Sequence, residues 1–354
     1  MTELGLTKEQ LNLYIQGNAA FQFLTAGVEL GLFDRLAQSP CMTSEEIAAA
    51  IDLEPQPARI LLAGMLALKL LQRKDGRYSV DPLARQVLTS ASPRSMVPVL
   101  HWIKNGINRG LVDMTQALRE NRNVGLDRFA GEGGTIYHRL DADPKLSAVF
   151  QRSLGLFARG AAMALVQTDT FRGLSHLLDV GGGDATHAMA LARALPDLRI
   201  TIFDSPAVCA VADARIAEAG LSDRIATHAG DLFDDPFPTE IDGIFMSELT
   251  PIWSPERNRS LFRRAHDALP DGGALVILSI MLDDAEDGPL GAAMFSPYFL
   301  TIASGEGMAY PARDYATWLD EAGFGDVATV PTGLPLNQHI VVGRRLGASR
   351  RMAA

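Results

Sequence analysis

The sequence has very little cysteine: only Cys41 and Cys209 occur among its 354 residues, and they lie far apart. A disulfide-stabilised secreted domain needs several paired cysteines, so that class is excluded and a cytoplasmic location is expected. Neither cysteine has the spacing of a metal site. The seven histidines are dispersed along the chain, and we therefore expect no bound metal.

The chain also lacks an excess of positive charge and a long apolar run. Lys and Arg number 32 against 42 Asp and Glu, which gives a net charge of −10. Because nucleic acids are bound by basic surfaces, no nucleic-acid partner is expected. No segment reaches the ~18 consecutive apolar residues of a membrane span, and the first ten residues lack a signal-peptide pattern. We therefore expect a soluble protein without a membrane partner.

What is present divides into two parts. From Leu11 to about Arg172 the apolar residues recur three, four or seven apart, which is the spacing of one helix face. Thr43 to Glu46 has the pattern of a capping box that begins a helix. A second helix is expected over Ile60–Leu71, followed by a hairpin turn at Lys74–Tyr78. This order indicates a winged-helix-like arrangement.

A winged helix has two common uses, DNA binding and dimerisation. Residues 43–80 contain five basic and five acidic side chains, and the helix over Ile60–Leu71 is mostly apolar. A DNA-binding regulator would need a basic recognition helix. The balance of charge therefore favours a dimerisation and scaffold domain.

After residue 172 short apolar runs alternate with helical stretches such as Thr186–Leu195. Alternation of this kind is typical of a doubly wound, mostly parallel α/β sheet. The expected strands are His176–Val180, Arg199–Asp204, Ile225–Asp231, Gly243–Leu249 and Ala274–Leu282. We predict a helical domain over residues 1–172, an α/β domain over 173–346 and a disordered tail over 347–354.

A glycine loop follows the first of these strands, in the segment Leu178-Asp179-Val180-Gly181-Gly182-Gly183-Asp184. Glycines after a strand let the backbone turn tightly and approach a ligand closely. Asp204 and Asp231 stand at the ends of the next two strands. Strand ends of an open α/β sheet form its ligand crevice, so the loop and the acids predict a nucleotide-type site.

The acidic residues around the glycine loop distinguish between two candidate ligands, NAD and S-adenosylmethionine. An NAD-binding loop favours a third glycine where this chain has Thr186, and its pyrophosphate would be repelled by Asp179 and Asp184. S-adenosylmethionine carries a cationic sulfonium and an ammonium group but no phosphate. The pattern therefore favours a site for S-adenosylmethionine over the NAD site of a nicotinamide dehydrogenase.

In this order the motifs resemble the caffeic-acid type of small-molecule O-methyltransferase, over nearly the whole chain. The resemblance implies an α/β Rossmann-like class I methyltransferase domain behind a mostly α-helical, winged-helix-like dimerisation domain, and a homodimer. It rests on the glycine loop and on four further segments, which are residues 27–34, 230–233, 268–273 and 318–324.

The same resemblance assigns the cofactor residues. Gly181 and Gly183, with Gly182 between them, would pass beneath the methionine part of S-adenosylmethionine. Asp179 joins this set because its negative charge would attract the sulfonium and ammonium groups. Asp204 would take the ribose hydroxyls and Ser247 would lie near the carboxypropyl arm. Three further residues would hold the adenine: Asp231, Leu232 and Phe233.

One position departs from the family. The family's catalytic base is a histidine two residues before a tryptophan, and Trp253 aligns so that Pro251 occupies that place. Proline cannot take a proton. Glu248, at a strand end, is the best alternative base, because burial can raise a glutamate pKa towards neutrality. His339 and His101 are weaker candidates, and proximity of the two reactants is a further explanation.

Short segments around Trp253, Asp287 and Met308 are similar to enzymes that methylate phenolic amino acids at the ring carbon beside the hydroxyl. Ring C-methylation of a small aromatic substrate is thus favoured, with O-methylation of the same substrate class as the rival. The missing histidine leaves a third reading open, a non-methylating hydroxylase or pericyclase that still binds S-adenosylmethionine.

The predicted substrate wall is aromatic and Met-rich, which suits a flat ring. We select Tyr298, Phe295 and Met308 from a wider set, and add His339 as a substrate contact. A substrate carboxylate would need a cationic donor, for which Arg152 or Arg139 is proposed. The wider set also includes Trp102, Phe150, Met294 and Phe299.

Overall fold

The computed structural model describes residues 5–347, so the expected tail lies outside the described residues from 348 onwards. Contacts between residues divide the chain into two compact units, Met1–Gly106 and Ile107–Ala354. The boundary predicted near residue 172 instead marks the point after which the strands of the large sheet begin. Of the described helices, none has both the length and the apolarity needed to cross a membrane.

The first unit is built from helices and one hairpin. Thr43 caps α4 through a reciprocal pair of hydrogen bonds with Glu46, which confirms the predicted capping box. The helices are α1 Lys8–Ile15, α2 Gly17–Glu29, α3 Leu32–Gln38, α4 Ser44–Ala50, α5 Pro55–Ala67, α6 Pro82–Leu88 and α7 Val97–Trp102. The strands β1 Leu71–Lys74 and β2 Arg77–Val80 pair in antiparallel fashion.

The order α4, α5, β1, β2 is the predicted winged-helix-like arrangement. Its interior is apolar, and each fully buried aliphatic side chain contributes about 1.5–3 kcal/mol. Its largest fully buried side chains are Leu32, Phe33, Leu36, Ile47, Leu62 and Met65. α1, in contrast, buries none of its residues.

The second unit begins with helices. They are α8 Asn108–Leu111, α9 Met114–Glu120, α10 Ile136–Arg139 and the long α11 Pro144–Leu165, with 3-10 turns at Val124–Arg128 and Leu140–Ala142. α11 buries one face, on which Phe150, Ser153 and Leu165 lie.

A seven-stranded sheet forms the centre of this unit, in the order β5-β4-β3-β6-β7-β9-β8. Its strands are β3 His176–Val180, β4 Arg199–Asp204, β5 Ile225–Ala229, β6 Gly243–Ser247, β7 Ala274–Ile280, β8 Phe324–Pro331 and β9 Gln338–Arg345. The five strands β5, β4, β3, β6 and β7 are parallel to their neighbours. β9 is antiparallel to both of its neighbours, β7 and β8. The order in which successive strands are added to the sheet reverses between β3 and β6. Ligands of open α/β sheets bind beside such a switch point.

Helices cover both faces of the sheet. They are α12 Thr186–Ala194 and α13 Pro206–Glu218 on one face, and α14 Pro255–Ala268 and α16 Ala312–Ala322 on the other. A further helix, α15 Leu290–Tyr298, packs against residues at and beyond the end of β7. Alternate residues of one strand enter different cores: Leu177 packs with α11 to α13, and Leu178 packs with α14 and α16. Side chains alternate because successive residues of a strand point to opposite faces. The predicted doubly wound fold is confirmed, although β8 and β9 were not foreseen.

Two backbone segments meet closely beside the end of β6. Residues Thr250–Ile252 form a 3-10 turn, and Ser304 Oγ donates a hydrogen bond to the carbonyl of Ile252. Gly307 lies directly on this turn: a Cβ at that position would stand 1.9 Å from the carbonyl oxygen of Pro251. Only glycine permits this approach, so the turn is fixed from one side by backbone contact.

We expect Gly307→Ala to lower the free energy of unfolding by about 1–3 kcal/mol, because the added methyl group meets backbone that cannot rotate away. Gly134→Ala is the matched control, since a Cβ there meets nothing within 4 Å. Thermal unfolding of both variants checks the prediction. Equal midpoints for the two would contradict the packing described here.

Candidate functional site

The glycine loop after β3 presents backbone to the crevice. Gly181 and Gly183 have positive φ, and the N–H of Gly183 donates to Asp204 Oδ2 at 3.1 Å. A Cβ on Gly182 would lie 2.9 Å from the carboxyl group of Asp179. The loop therefore links the acids that end β3 and β4, and a side chain at its centre would collide with one of them.

Asp179 is a buried acid without a partner. Its side chain is 1% exposed, and neither carboxylate oxygen has a hydrogen-bond partner among the described residues. Burial, and then the nearby charge of Asp204, raise the pKa of Asp179 to about 7. Ser247 Oγ at the end of β6 is likewise buried and unpartnered. A buried carboxylate of this kind calls for a cationic partner, and the sulfonium and ammonium groups of S-adenosylmethionine fit that demand.

Asp184 does not act as the free negative charge beside the glycine loop that was expected from the sequence. Its carboxylate forms an ion pair with Arg215 and accepts hydrogen bonds from the backbone and side chain of Thr186. It therefore stabilises the start of α12 and does not face a ligand as a free charge. The negative charge available to the loop comes from Asp179 and Asp204.

An aromatic corner lies beyond the end of β5. Asp231 Oδ1 accepts from the backbone N–H of Phe233, which shapes the turn. The ring of Phe233 meets that of Trp253 edge to face at 4.9 Å, and the guanidinium of Arg257 lies 4.6 Å from the Phe233 ring centroid. Leu232 is half-buried next to them. Flat apolar walls at this end of the crevice agree with the predicted adenine position, which stays a prediction.

Glu248 directly follows β6 and has a strained backbone, with φ of 52°. Its carboxylate accepts from Gln338 Nε2 at 2.6 Å and from the N–H of Ile280 at 3.4 Å. Burial raises its pKa to about 7, although these two hydrogen bonds oppose the rise. A carboxylate with a pKa near neutrality can accept a proton at physiological pH.

Pro251 is buried within the turn of residues 250–252 and presents no titratable group. The turn is held by polar contacts: Thr250 Oγ1 shares a hydrogen bond of 2.9 Å with the hydroxyl of Tyr315, and Asn258 donates to the carbonyl of Thr250. The position that the family uses for its histidine is therefore a packed structural element in this chain.

The predicted substrate residues come together on and after α15. Phe295 and Tyr298 have ring centroids 5.4 Å apart, and Met308 packs in the same apolar cluster as Phe295. The hydroxyl of Tyr298 donates to the hydroxyl of Tyr137 at 3.0 Å. Glu248 is near enough for its charge to raise the pKa of Tyr137. Aromatic side chains, a hydroxyl pair and the carboxylate thus share one region.

Other predicted residues are placed differently. Arg152 is exposed on α11, and Arg139 is engaged by backbone carbonyls, among them those of Leu126 and Phe129. His339 contacts Asn337, and burial lowers its pKa. His339 follows Gln338 in β9, and neighbours in a strand point to opposite faces, so only Gln338 reaches Glu248. Met294 is largely exposed.

Two residues of the site were missed from the sequence. Gln338 carries no sequence signal of its own, because β9 was not predicted as a strand and the alternation of Gln338 and His339 between its two faces was therefore not apparent. Tyr137 lies in a short helix distant in sequence, and nothing local marks it. Among residues 5–347 no cluster of three or more metal-binding side chains occurs, and the absence of a metal stays a prediction.

Comparison with known proteins follows the two units. Residues 111–325 match the O-methyltransferase domain, and residues 12–90 match the O-methyltransferase dimerisation domain.

Individual relatives extend over most of the chain. The L-tyrosine C(3)-methyltransferase of Streptomyces lavendulae is 37% identical over 90% of this chain and 87% of its own length. The 3-hydroxy-5-methyl-1-naphthoate 3-O-methyltransferase of Streptomyces sahachiroi is 32% identical over 91% of each. The crystal structure of the S-adenosylmethionine-dependent methyltransferase SibL in its apo form superposes with a TM-score of 0.85, at 35% identity, covering 95% of this chain and 99% of the other.

The buried acids predict a pH-dependent stability. The folded-state pKa values of Asp179 and Glu248, about 7 each, lie above the ordinary values of 3.8 and 4.5. Their contribution to stability is therefore complete below pH 4 and is lost as the pH rises through 7. We expect the ligand-free protein to unfold at a lower temperature at pH 8 than at pH 5.5, and Asp179→Asn to reduce this difference.

The same variant should weaken S-adenosylmethionine binding at pH 8 by at least about tenfold, because a neutral amide loses the attraction to a cation. Calorimetric titration of wild type and variant measures it. Asp234→Asn, an exposed change nearby, is the control. Unchanged affinity in Asp179→Asn would show that this carboxylate does not meet the cofactor.

Proposed function

Since the chain belongs to the O-methyltransferase family and is an S-adenosylmethionine-dependent methyltransferase, we propose that it methylates a small phenolic substrate of the aromatic amino acid type. The new methyl group is placed on the ring carbon beside the hydroxyl. The observation that carries this proposal is the buried carboxylate of Glu248 beside a turn in which Pro251 replaces the family's histidine. The 37% identity to a tyrosine C-methyltransferase supports the substrate class.

The chain's own residues suit the binding of the methyl donor. Asp179 meets its positive charge, Asp204 ends β4 next to the glycine loop, and Ser247 offers a free hydroxyl at the end of β6. When bound, S-adenosylmethionine supplies an electrophilic methyl group on a sulfonium. The low-dielectric surroundings of Asp179 strengthen the attraction to that charge.

On the substrate side, Phe295, Tyr298 and Met308 provide a wall for a flat ring. Glu248 accepts the proton of the substrate phenol through its carboxylate, whose pKa of about 7 suits this role near neutral pH. The resulting phenolate carries electron density on the ring carbon beside the oxygen. That carbon would take the methyl group as the bond from methyl to the sulfonium sulfur breaks, which would leave S-adenosylhomocysteine. The same carbon then loses its own hydrogen as a proton to solvent, which restores the aromatic ring.

O-methylation of the same phenol differs only in which atom meets the methyl group. The 32% identity to a naphthoate O-methyltransferase is the observation on its side. Both reactions need the phenolate, so Glu248 serves either one. The position of the ring relative to the wall of Phe295 and Tyr298 decides between carbon and oxygen.

We expect Glu248→Gln to lower kcat/KM by about 10²–10⁴-fold, because the amide cannot accept the phenol proton. Purified enzyme would be incubated with S-adenosylmethionine and a panel of L-tyrosine, 3-hydroxykynurenine and simple phenols. Mass spectrometry then detects a product heavier by one methylene, and its fragmentation separates ring carbon from oxygen. Glu240→Gln, an exposed change of the same chemistry, is the matched control.

Full activity in Glu248→Gln would remove this residue as the base. A product methylated on oxygen would replace ring methylation by O-methylation. Intact cofactor with every acceptor of the panel, despite tight binding, would favour the non-methylating alternative.

We further propose that the protein is a homodimer assembled through its dimerisation domain. Support comes from the match over residues 12–90 and from α1, which buries none of its residues and exposes Leu11, Tyr14 and Ile15. Apolar side chains exposed at 47%, 61% and 70% are typical of a surface that a partner covers.

Sedimentation velocity tests this assembly. We expect a species of twice the 38.1 kDa mass of one chain, and a shift to the single-chain mass in the double variant Leu11→Glu, Ile15→Glu. Charges placed in an apolar interface are costly to bury, which is the reason for the shift. A wild-type protein that sediments as a single chain at micromolar concentration would refute the proposal.

A further inference from the structure

The carboxylate of Glu248 has one side-chain donor among the described residues, the amide of Gln338. The distance from Gln338 Nε2 to Glu248 Oε1 is 2.6 Å, which is short for a nitrogen donor and typical of a bond to a charged acceptor. Gln338 is 3% exposed, so water does not compete for this contact. A buried amide of this kind stabilises the charged form of the acid that it contacts.

The backbone fixes both ends of this contact. Gln338 lies opposite Ile280 in the register of β7 and β9, and the N–H of Glu248 donates to the carbonyl of Leu278 in β7 at 2.8 Å. The pair therefore spans the end of β7, and the N–H of Ile280 points to the second carboxylate oxygen. Thr332 Oγ1 donates to the carbonyl of Gln338 at 2.5 Å and holds the beginning of β9.

The other titratable groups facing Glu248 do not carry charge near neutral pH. Tyr137 from α10 and Tyr315 from α16 both feel the charge of Glu248, and burial raises the pKa of each well above its usual range. Tyr298 is bonded to Tyr137 and its pKa is also raised. On β9 itself, His339 turns to Asn337, and burial lowers its pKa. Gln338 is thus the side chain in this surrounding that favours the carboxylate form, together with the longer hydrogen bond from the N–H of Ile280.

We propose that Gln338 is a positioning residue for Glu248, which orients the carboxylate towards the acceptor and holds it in the proton-accepting form. The inference rests on the proposed role of Glu248 as the base. Glutamine suits this task because its amide donates a hydrogen bond and does not titrate. Without the hydrogen bond from Gln338, the side chain of Glu248 would have more rotational freedom, and its protonated form would be favoured.

Gln338→Met tests the inference, because methionine keeps the length and apolar bulk but removes the donor. The pKa of Glu248 is read from the side-chain carboxyl ¹³C shift of labelled protein, assigned by its loss in Glu248→Gln. We expect the titration midpoint to rise by about one pH unit, since the charged form loses its donor. The acid limb of the kcat/KM profile should move to higher pH by the same amount.

Two further variants complete the test. Val341→Ala loosens the same strand at a fully buried position and should leave the midpoint of Glu248 in place. Gln338→Glu adds a second carboxyl group and should raise the midpoint further, because two acids at this distance cannot both ionise easily.

The outcomes separate the inference from the proposed function. An unchanged ¹³C midpoint in both Gln338 variants overturns the role of Gln338. A raised midpoint without a shift in the rate profile supports the role of Gln338 and instead refutes Glu248 as the base. A midpoint that shifts equally in Val341→Ala assigns the effect to loosening of the strand and overturns the inference.

Discussion

The half-buried carboxylate of Glu248 at the end of β6 is the constraint on which the proposed chemistry depends. Glu248 is removed from water in a strained backbone conformation, and one amide and one N–H compensate only part of that cost. The pKa of Glu248 is therefore raised to about 7, above the acidic range that is usual for a glutamate. An unperturbed histidine has a pKa of about 6.5, and the proposed base reaches a similar value through the surroundings of a glutamate.

A second buried acid shapes the other half of the crevice by the same physics. Asp179 and Glu248 both have a pKa raised to about 7, but their partners differ. Glu248 has donors within the protein, so it is prepared for proton transfer. Asp179 has none among the described residues, so its partner must come with a ligand. In the proposed function, the same rise in pKa serves a cofactor contact at one strand end and a base at another.

Much of the fold was readable from the sequence. Glycines, strand-end acids and alternating patterns located five strands to within about two residues, because these features report local backbone demands. β8 and β9 were not predicted. The apolar residues of β8 are interrupted by Gly325 and Asp326, and those of β9 form only the short run Ile340 to Val342. The dimerisation domain was predicted from the charge balance and the cofactor from the strand-end acids. The family resemblance implied both, and the comparisons confirm them.

The site was less readable, for reasons that lie in long-range contacts. Glu248 was identified by its position after a strand, but its partner is 90 residues away in sequence. Asp184 was assigned a ligand-facing charge, although Arg215, 31 residues later, neutralises it. Arg139 was proposed for a substrate carboxylate and instead binds backbone carbonyls. Pairings of this kind are set by packing, which local patterns do not encode.

The most direct measurement is a crystal structure of the protein with S-adenosylhomocysteine and the phenolic substrate identified by the product assay. We expect the phenol oxygen to lie within about 3.2 Å of the carboxylate of Glu248, with the ring against Phe295 and Tyr298. A phenol oxygen that faces His339, or solvent alone, with Glu248 still bound only to Gln338 and Ile280, would contradict it.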